Sequence, residues 1–325
     1  MELFVCCSPA SDIEKFQSKR DNVVNVKERI KEIDTEEILI SNIAWTYLID
    51  GYLIVCDYKS LNKMIHLFDR TNYRYITSTA NRGQGPGEIV NIGHIGIDEP
   101  NRRFFVLDHG KYKMFEYELD SVLMKSEYKP AEKMNLTKAG FPISYKYISD
   151  TLSYGVILEP IGNSDFKLCV ARWNMNSGQI TPMDYTHPEI ERKMIALDVS
   201  PEYGIYVEGY HHHDLMTICT LDGELKCNIY GNRWNNKTSN RFSFYTNVLF
   251  CGDKILATYA EGKERGDVLS YPTRLLVFDI EGNYIKTLDA GYRIVTCSYD
   301  KKNNRLIMIC DDEIQLAYLD LGELI

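Results

Sequence analysis

The eight residues Asn81-Arg82-Gly83-Gln84-Gly85-Pro86-Gly87-Glu88 constrain this chain more than any other stretch. Three glycines and a proline this close together cannot lie within a helix or a central strand. They make a hard corner. A segment rich in Tyr and Ile with strand-like alternation enters it, and another leaves it. The corner therefore reads as a seam between two copies of one structural repeat.

The repeat is an antiparallel meander of four strands. Its first copy runs Ile43 to Ile49, Tyr52 to Cys56, Met64 to Phe68 and Tyr73 to Thr77, with Asp50-Gly51 as a hairpin turn. First strands recur near residues 44, 94, 145, 196, 246 and 294. A period of about fifty residues suits propeller blades and is too long for leucine-rich or helical-hairpin repeats. The third strand often ends at an acidic residue before the turn to the fourth, as in Phe68-Asp69, Leu221-Asp222-Gly223 and Phe278-Asp279. In the second copy the fourth strand is expected at Val122 to Tyr128.

The sixth copy has three strands, and a closed ring must hide its edges. The strand-like run Asn22 to Lys27 is the expected fourth strand of the last blade. The prediction is an all-β protein: one six-bladed β-propeller of four-stranded antiparallel blades over residues 22–325, preceded by a flexible tether over residues 1–21.

Composition narrows the function classes. The net charge is −9, and no basic stripe is visible, so no nucleic-acid partner is expected. The 23 Tyr suit half-buried strands and wet binding surfaces alike. Nine Cys include no Cys-x-x-Cys pair, and most sit in apolar runs, where a free thiol is a small buried hydrophobe. Leu3-Phe4-Val5-Cys6-Cys7-Ser8 has the form of the end of a lipoprotein signal, with Cys7 the residue that would be lipidated; a terminus without meaning is the other reading.

The motif Arg82-Gly-Gln-Gly-Pro-Gly-Glu88, with Ile97-Asp98 and Phe105-Val106-Leu107-Asp108, resembles the six-bladed β-propeller proteins common in Bacteroidetes, of TolB-like or NHL-like type. Many of these are lipoproteins. The resemblance implies a protein in the periplasm or at the cell surface, touching the membrane only through a lipid anchor, and otherwise a monomer.

In a propeller the strand 2–3 and inter-blade loops open on one face, and the 1–2 and 3–4 turns on the other. The long segments Lys129 to Pro142, Asp184 to Lys193, Gly231 to Phe242 and Glu261 to Pro272 fall on the first face, where binding residues are expected. The candidates there are weak ones. The glycine corner, with Arg82, Gln84 and Glu88, is a turn needing positive φ or an anion nest of backbone amides. His211-His212-His213 is an exposed polar loop or, with His94, His109, His187 and carboxylates from other blades, part of a metal site. Trp234 among Asn and Arg neighbours is a stacking platform or a cap over a seam. Glu261 to Gly266, with Arg265, and Tyr271-Pro272 are a solvated charged loop or a rim contact.

No Ser-His-Asp order, GxSxG elbow or HExxH pattern occurs. The leading expectation is a binding or scaffolding module for a glycan, peptide or envelope protein, without a cofactor. The alternative is a hydrolase or lyase with a divalent cation in the central channel.

Overall fold

Alternation of apolar residues within short runs, closed by Asp-, Gly- and Asn-rich turns, makes each repeat an antiparallel sheet. The computed structural model describes residues 13–35, 38–125, 127–137, 140–162, 165–237, 242–264 and 271–325. Blade one is Ala44–Ile49, Tyr52–Asp57, Lys63–Asp69 and Tyr75–Asn81. Blade two is Ile92–Asp98, Arg103–Asp108, Lys113–Glu118 and Ala131–Asn135. Blade three is Phe141–Ser149, Leu152–Pro160, Phe166–Trp173 and Ile180–Pro182. Blade four is Ile195–Ser200, Ile205–Tyr210, Leu215–Thr220 and Leu225–Tyr230. Blade five is Phe242–Cys251, Lys254–Glu264, Arg274–Asp279 and Tyr284–Asp289. Blade six is Ile294–Asp300, Arg305–Cys310, Leu316–Asp320 and, from the start of the chain, Ile30–Glu32. The first strands contact one another in sequence and the last contacts the first, which closes the ring.

The apolar core lies in the seams, because both faces of each blade pack against a neighbour. Ile54, Ile65 and Leu67 of blade one meet Ile95, Phe104 and Val106 of blade two. Phe105 and Leu107 then meet Tyr145 and Trp173. At the closing seam Ile307 and Ile309 of blade six meet Leu53 and Val55 of blade one. This two-sided burial explains why second strands such as Tyr52–Asp57 are apolar almost throughout. The described cysteines are free; all but Cys169 are buried in these layers. Cys6 and Cys7 lie outside the described residues.

The N-terminal segment corrects two expectations. Of the residues expected as tether, Glu14–Phe16 form a strand, and the segment wraps the outside of three blades. Glu14–Phe16 adds a parallel fifth strand to blade four, and Val23–Asn25 a parallel fifth strand to blade five. The strand that completes blade six is Ile30–Glu32, antiparallel to Leu316–Asp320, and not the Val23 run. Val23 to Lys27 has the stronger strand propensity. Partner geometry overrides it, because the edge of blade six is reached only after the chain has passed blade five.

A third correction falls in blade two. Leu119–Met124 is a short helix and the fourth strand is Ala131–Asn135, not Val122 to Tyr128. Leu119 and Val122, three residues apart, are the buried pair of that helix. The connection to blade three is shorter than expected as a result.

One buried ion pair locks the closing seam at the short-turn end. Arg70 of blade one donates from Nε and Nη2 to Asp300 of blade six at 2.9 and 2.6 Å, and from Nη1 to the Asp50 carbonyl at 2.7 Å. Burial pushes the Asp300 carboxyl up, but bonds from Arg70 and Asn303 outweigh it and hold the group below the usual carboxylate range. Arg70→Met therefore leaves a buried, unpaired carboxylate and should cost about 3–5 kcal/mol in urea unfolding at pH 7. A depressed folded pKa gives stability that is present above the unfolded carboxyl value of about 3.9 and is lost as pH falls through the folded value. The gap between wild type and variant should accordingly narrow in acid. An equal gap at pH 7 and pH 3 would contradict the assignment.

Candidate functional site

The glycine corner joins blades one and two and is built around its own carboxylate. Glu88 Oε2 accepts the Gly85 N–H at 2.7 Å. A Cβ on Gly83 would lie 2.1 Å from the same oxygen, so Gly83 is glycine to admit the carboxylate rather than for its φ. Among the three glycines positive φ belongs to Gly87 alone, at 76°. Lys111 Nζ donates to the Gly85 and Glu88 carbonyls at 2.7 and 2.8 Å. The corner is thus a turn whose Gly85 amide is taken by the chain's own carboxylate rather than left for a bound anion. Arg82 donates to the Tyr58 carbonyl, and Gln84 is exposed. His109 is half-buried against Phe141, with Nε2 3.3 Å from the Pro142 carbonyl, and burial lowers its pKa.

The histidine triplet is the loop between the second and third strands of blade four, and it is not an exposed loop. His212 and His213 are buried, at 8% and 2% exposure. His212 Nδ1 lies 3.0 Å from the Phe242 carbonyl and His213 Nδ1 3.0 Å from the Asn235 carbonyl. A carbonyl only accepts, so each Nδ1 carries the proton. The backbone of His211 bonds to Met194 and Phe244. Burial lowers the pKa of His213, and its Nε2 is buried without a hydrogen-bond partner. Trp234 packs on Tyr230, His187 and His213, with ring centroids at 4.8, 5.4 and 6.0 Å, so it caps a seam. Tyr271 is half-buried, and burial raises its pKa. Arg265 lies outside the described residues.

Behind the triplet sits a network that sequence reading missed. The buried Asp214 carboxylate receives Arg20 Nη1 at 3.0 Å, the Tyr245 hydroxyl at 3.2 Å, the Tyr259 hydroxyl at 2.9 Å and the Arg233 N–H at 3.2 Å. Gly231 is glycine because a Cβ there would meet the Asp214 oxygens at 2.1 Å. Arg20 comes from the N-terminal strap and lies over the Tyr259 ring. Its partners are some 190 to 240 positions away, beyond the reach of any local pattern.

Between these loops and blade five opens a cleft of about 360 Å³, lined by His212, His213, Arg233, Asn235, Lys237, Phe242, Phe244 and Gly262. It lies at the long-loop end. A second cavity, about 580 Å³, is the central channel. Its walls are the first strands of all six blades, and its mouth is formed by turn residues such as Glu99, Pro201 and Lys301, so it opens at the short-turn end. Most of its polar groups pair with each other: Thr46 with Ser298, Asn247 with Thr296, Lys146 with Asp198, and Lys301 with Glu202. His94 lines it between Tyr47 and Tyr145; burial, then Lys146 and His109, push its pKa down to about 3.

A family model described as a 6-bladed beta-propeller (DUF5128) matches residues 17–151, and the sheets complete the same ring beyond it. The chain is a six-bladed β-propeller. The propeller is similar to a crystal structure of a DUF4221 family member from Bacteroides vulgatus, at 12% identity and TM-score 0.62, over 90% of this chain and 95% of that one. It is also similar to a Bacteroides fragilis protein described as exported, at 12% identity and TM-score 0.57, over 94% and 98% of the two chains. A calcium-binding regucalcin from Agrobacterium tumefaciens matches at 10% identity and TM-score 0.56, over 91% and 94%. No curated protein matches the chain in sequence. At such identities the likeness is one of fold.

Among the described residues of this propeller, no three His, Cys, Asp or Glu side chains come together as a set that could hold a metal ion. The candidates from the sequence are instead scattered. Arg82 and Glu88 brace the first seam and His109 the second, while His213 and Trp234 meet at the fourth blade. Arg20→Met removes the cation beside Asp214 and should lower stability by about 3 kcal/mol. Amide exchange should quicken at residues 211–214 and stay unchanged in blades one and two. Unchanged exchange at 211–214 would show that the strap does not hold this loop.

Proposed function

We propose that this propeller is an extracytoplasmic binding or scaffolding module, and that it takes its glycan, peptide or protein partner at the cleft between blades four and five. The observation that carries the reading is that the two cations of that cleft have no side-chain carboxylate partner among the described residues. Arg233 and Lys237 stand beside two half-satisfied imidazoles and two phenylalanines, whereas the larger channel has largely paired off its own charges and hydroxyls. Convergent polar groups on an apolar wall, at the end where the loops are long, are the usual form of a binding site. Likeness to a protein described as exported supports a place outside the cytoplasm. Lipidation at Cys7 belongs to the same proposal and rests on the run Leu3 to Ser8.

The test is amide exchange with and without a panel of oligosaccharides and peptides. The reading expects protection at residues 211–213, 233–237 and 242–244. Protection confined to the channel mouth, at residues 98–100 and 200–202, would overturn it in favour of the channel.

A further inference from the structure

The chemistry of the cleft is specific enough to name a class of ligand, on the premise that the cleft is the binding site. Among the described residues its lining holds two permanent cations, Arg233 and Lys237, and no carboxylate. The described acids nearby are committed elsewhere. Asp214 is buried with Arg20, Glu261 pairs with Arg274, and Glu189 accepts from Asn236 at 2.9 Å. Arg233 spends Nη1 on the Glu261 carbonyl, which fixes the side chain and leaves the rest of a five-donor guanidinium to act. The protein carries a net charge of −9, so this is a local concentration of positive charge against the general balance.

The histidines add the opposite demand. With its Nδ1 proton donated to the Phe242 carbonyl, His212, which lines the cleft, has an Nε2 without a partner among the described residues. A ring nitrogen whose neighbour carries the proton accepts a hydrogen bond, so this position calls for a donor. A simple anion such as acetate or sulfate has no donor to give. Phe242, 36% exposed, and Phe244 supply an apolar wall. The volume, about 360 Å³, is at the small end of the roughly 300–1,000 Å³ range of ligand pockets.

We propose that the cleft binds an acidic sugar, a uronic acid residue at the end of a glycan. Its carboxylate pairs with Arg233 and Lys237, a hydroxyl donates to His212 Nε2, and its C–H face rests on Phe242 and Phe244.

The experiment is titration calorimetry of the full chain with methyl glucuronide, methyl glucoside and acetate. Arg233→Ala and Lys237→Ala serve as variants; both residues are exposed, so the fold should tolerate them. The expected result is binding of the glucuronide at least tenfold tighter than of the other two, with each variant weakening it about tenfold. Equal affinity for glucuronide and glucoside, unaffected by the variants, would overturn the acidic class and leave the cleft as a site for neutral sugars. Equal affinity for glucuronide and acetate would overturn the sugar and leave a plain anion site. No binding of the glucuronide, with the unfolding transition showing a folded protein, would overturn the inference outright. Protection of the cleft by a peptide would in that case preserve the reading of the site while removing this ligand.

Discussion

Closure of the ring depends on three backbone pairings. Ile30, Lys31 and Glu32 pair with Leu319, Tyr318 and Ala317 and give the last blade the fourth strand that its own sequence lacks. A propeller with a three-stranded last blade would expose a ladder edge and leave the seam to blade one half-built. The chain reaches that position only by passing blades four and five, and it pairs with each on the way. The strap also carries Arg20 to the buried Asp214 carboxylate behind the histidine loop. Closure and the shape of the cleft are therefore joined through a single segment.

Carboxylates at strand ends set the rest of the geometry. At the long-loop end Asp108 accepts the N–H groups of Val90, Asn91, Gly110 and Lys111, so one side chain ties the incoming connection to the turn ahead. Asp57 does the same work in blade one with Ser41, Lys59 and Ser60. At the short-turn end Asp98 and Asp300 hold Asn101 and Asn303 and take an arginine each. Asp69 and Asp279 close the turns between third and fourth strands. An acidic protein of this kind spends many of its carboxylates on its own backbone, which satisfies amides that loops would otherwise leave open.

The period of about fifty residues and the recurrent Asp turns were readable because each blade is a local meander, with partners a few residues apart. Blade count and most strands follow from that. That an N-terminal strand completes blade six was readable, but which run does so, and the two parallel strands of the strap, were not, because their register is set by partners hundreds of positions away. The site was legible in outline only. Loop length pointed to the correct end for the cleft. Residue type pointed to His213 without its burial, and to a nest at Gly83 and Gly85 without the Glu88 that fills it. Asp214, Arg20, Tyr245 and Tyr259 carry no mark in the sequence, since an isolated Asp or Tyr in a strand-rich chain is ordinary until its partners are known.

The account makes the cleft between blades four and five the working surface of the propeller, and the channel a structural axis. A crystal structure of the protein grown with an oligouronate tests that division most directly. The account predicts a sugar ring against Phe242 and Phe244 with its carboxylate on Arg233. A ring lodged among Tyr47, His94 and Tyr147 in the channel, with the cleft unchanged, would contradict it.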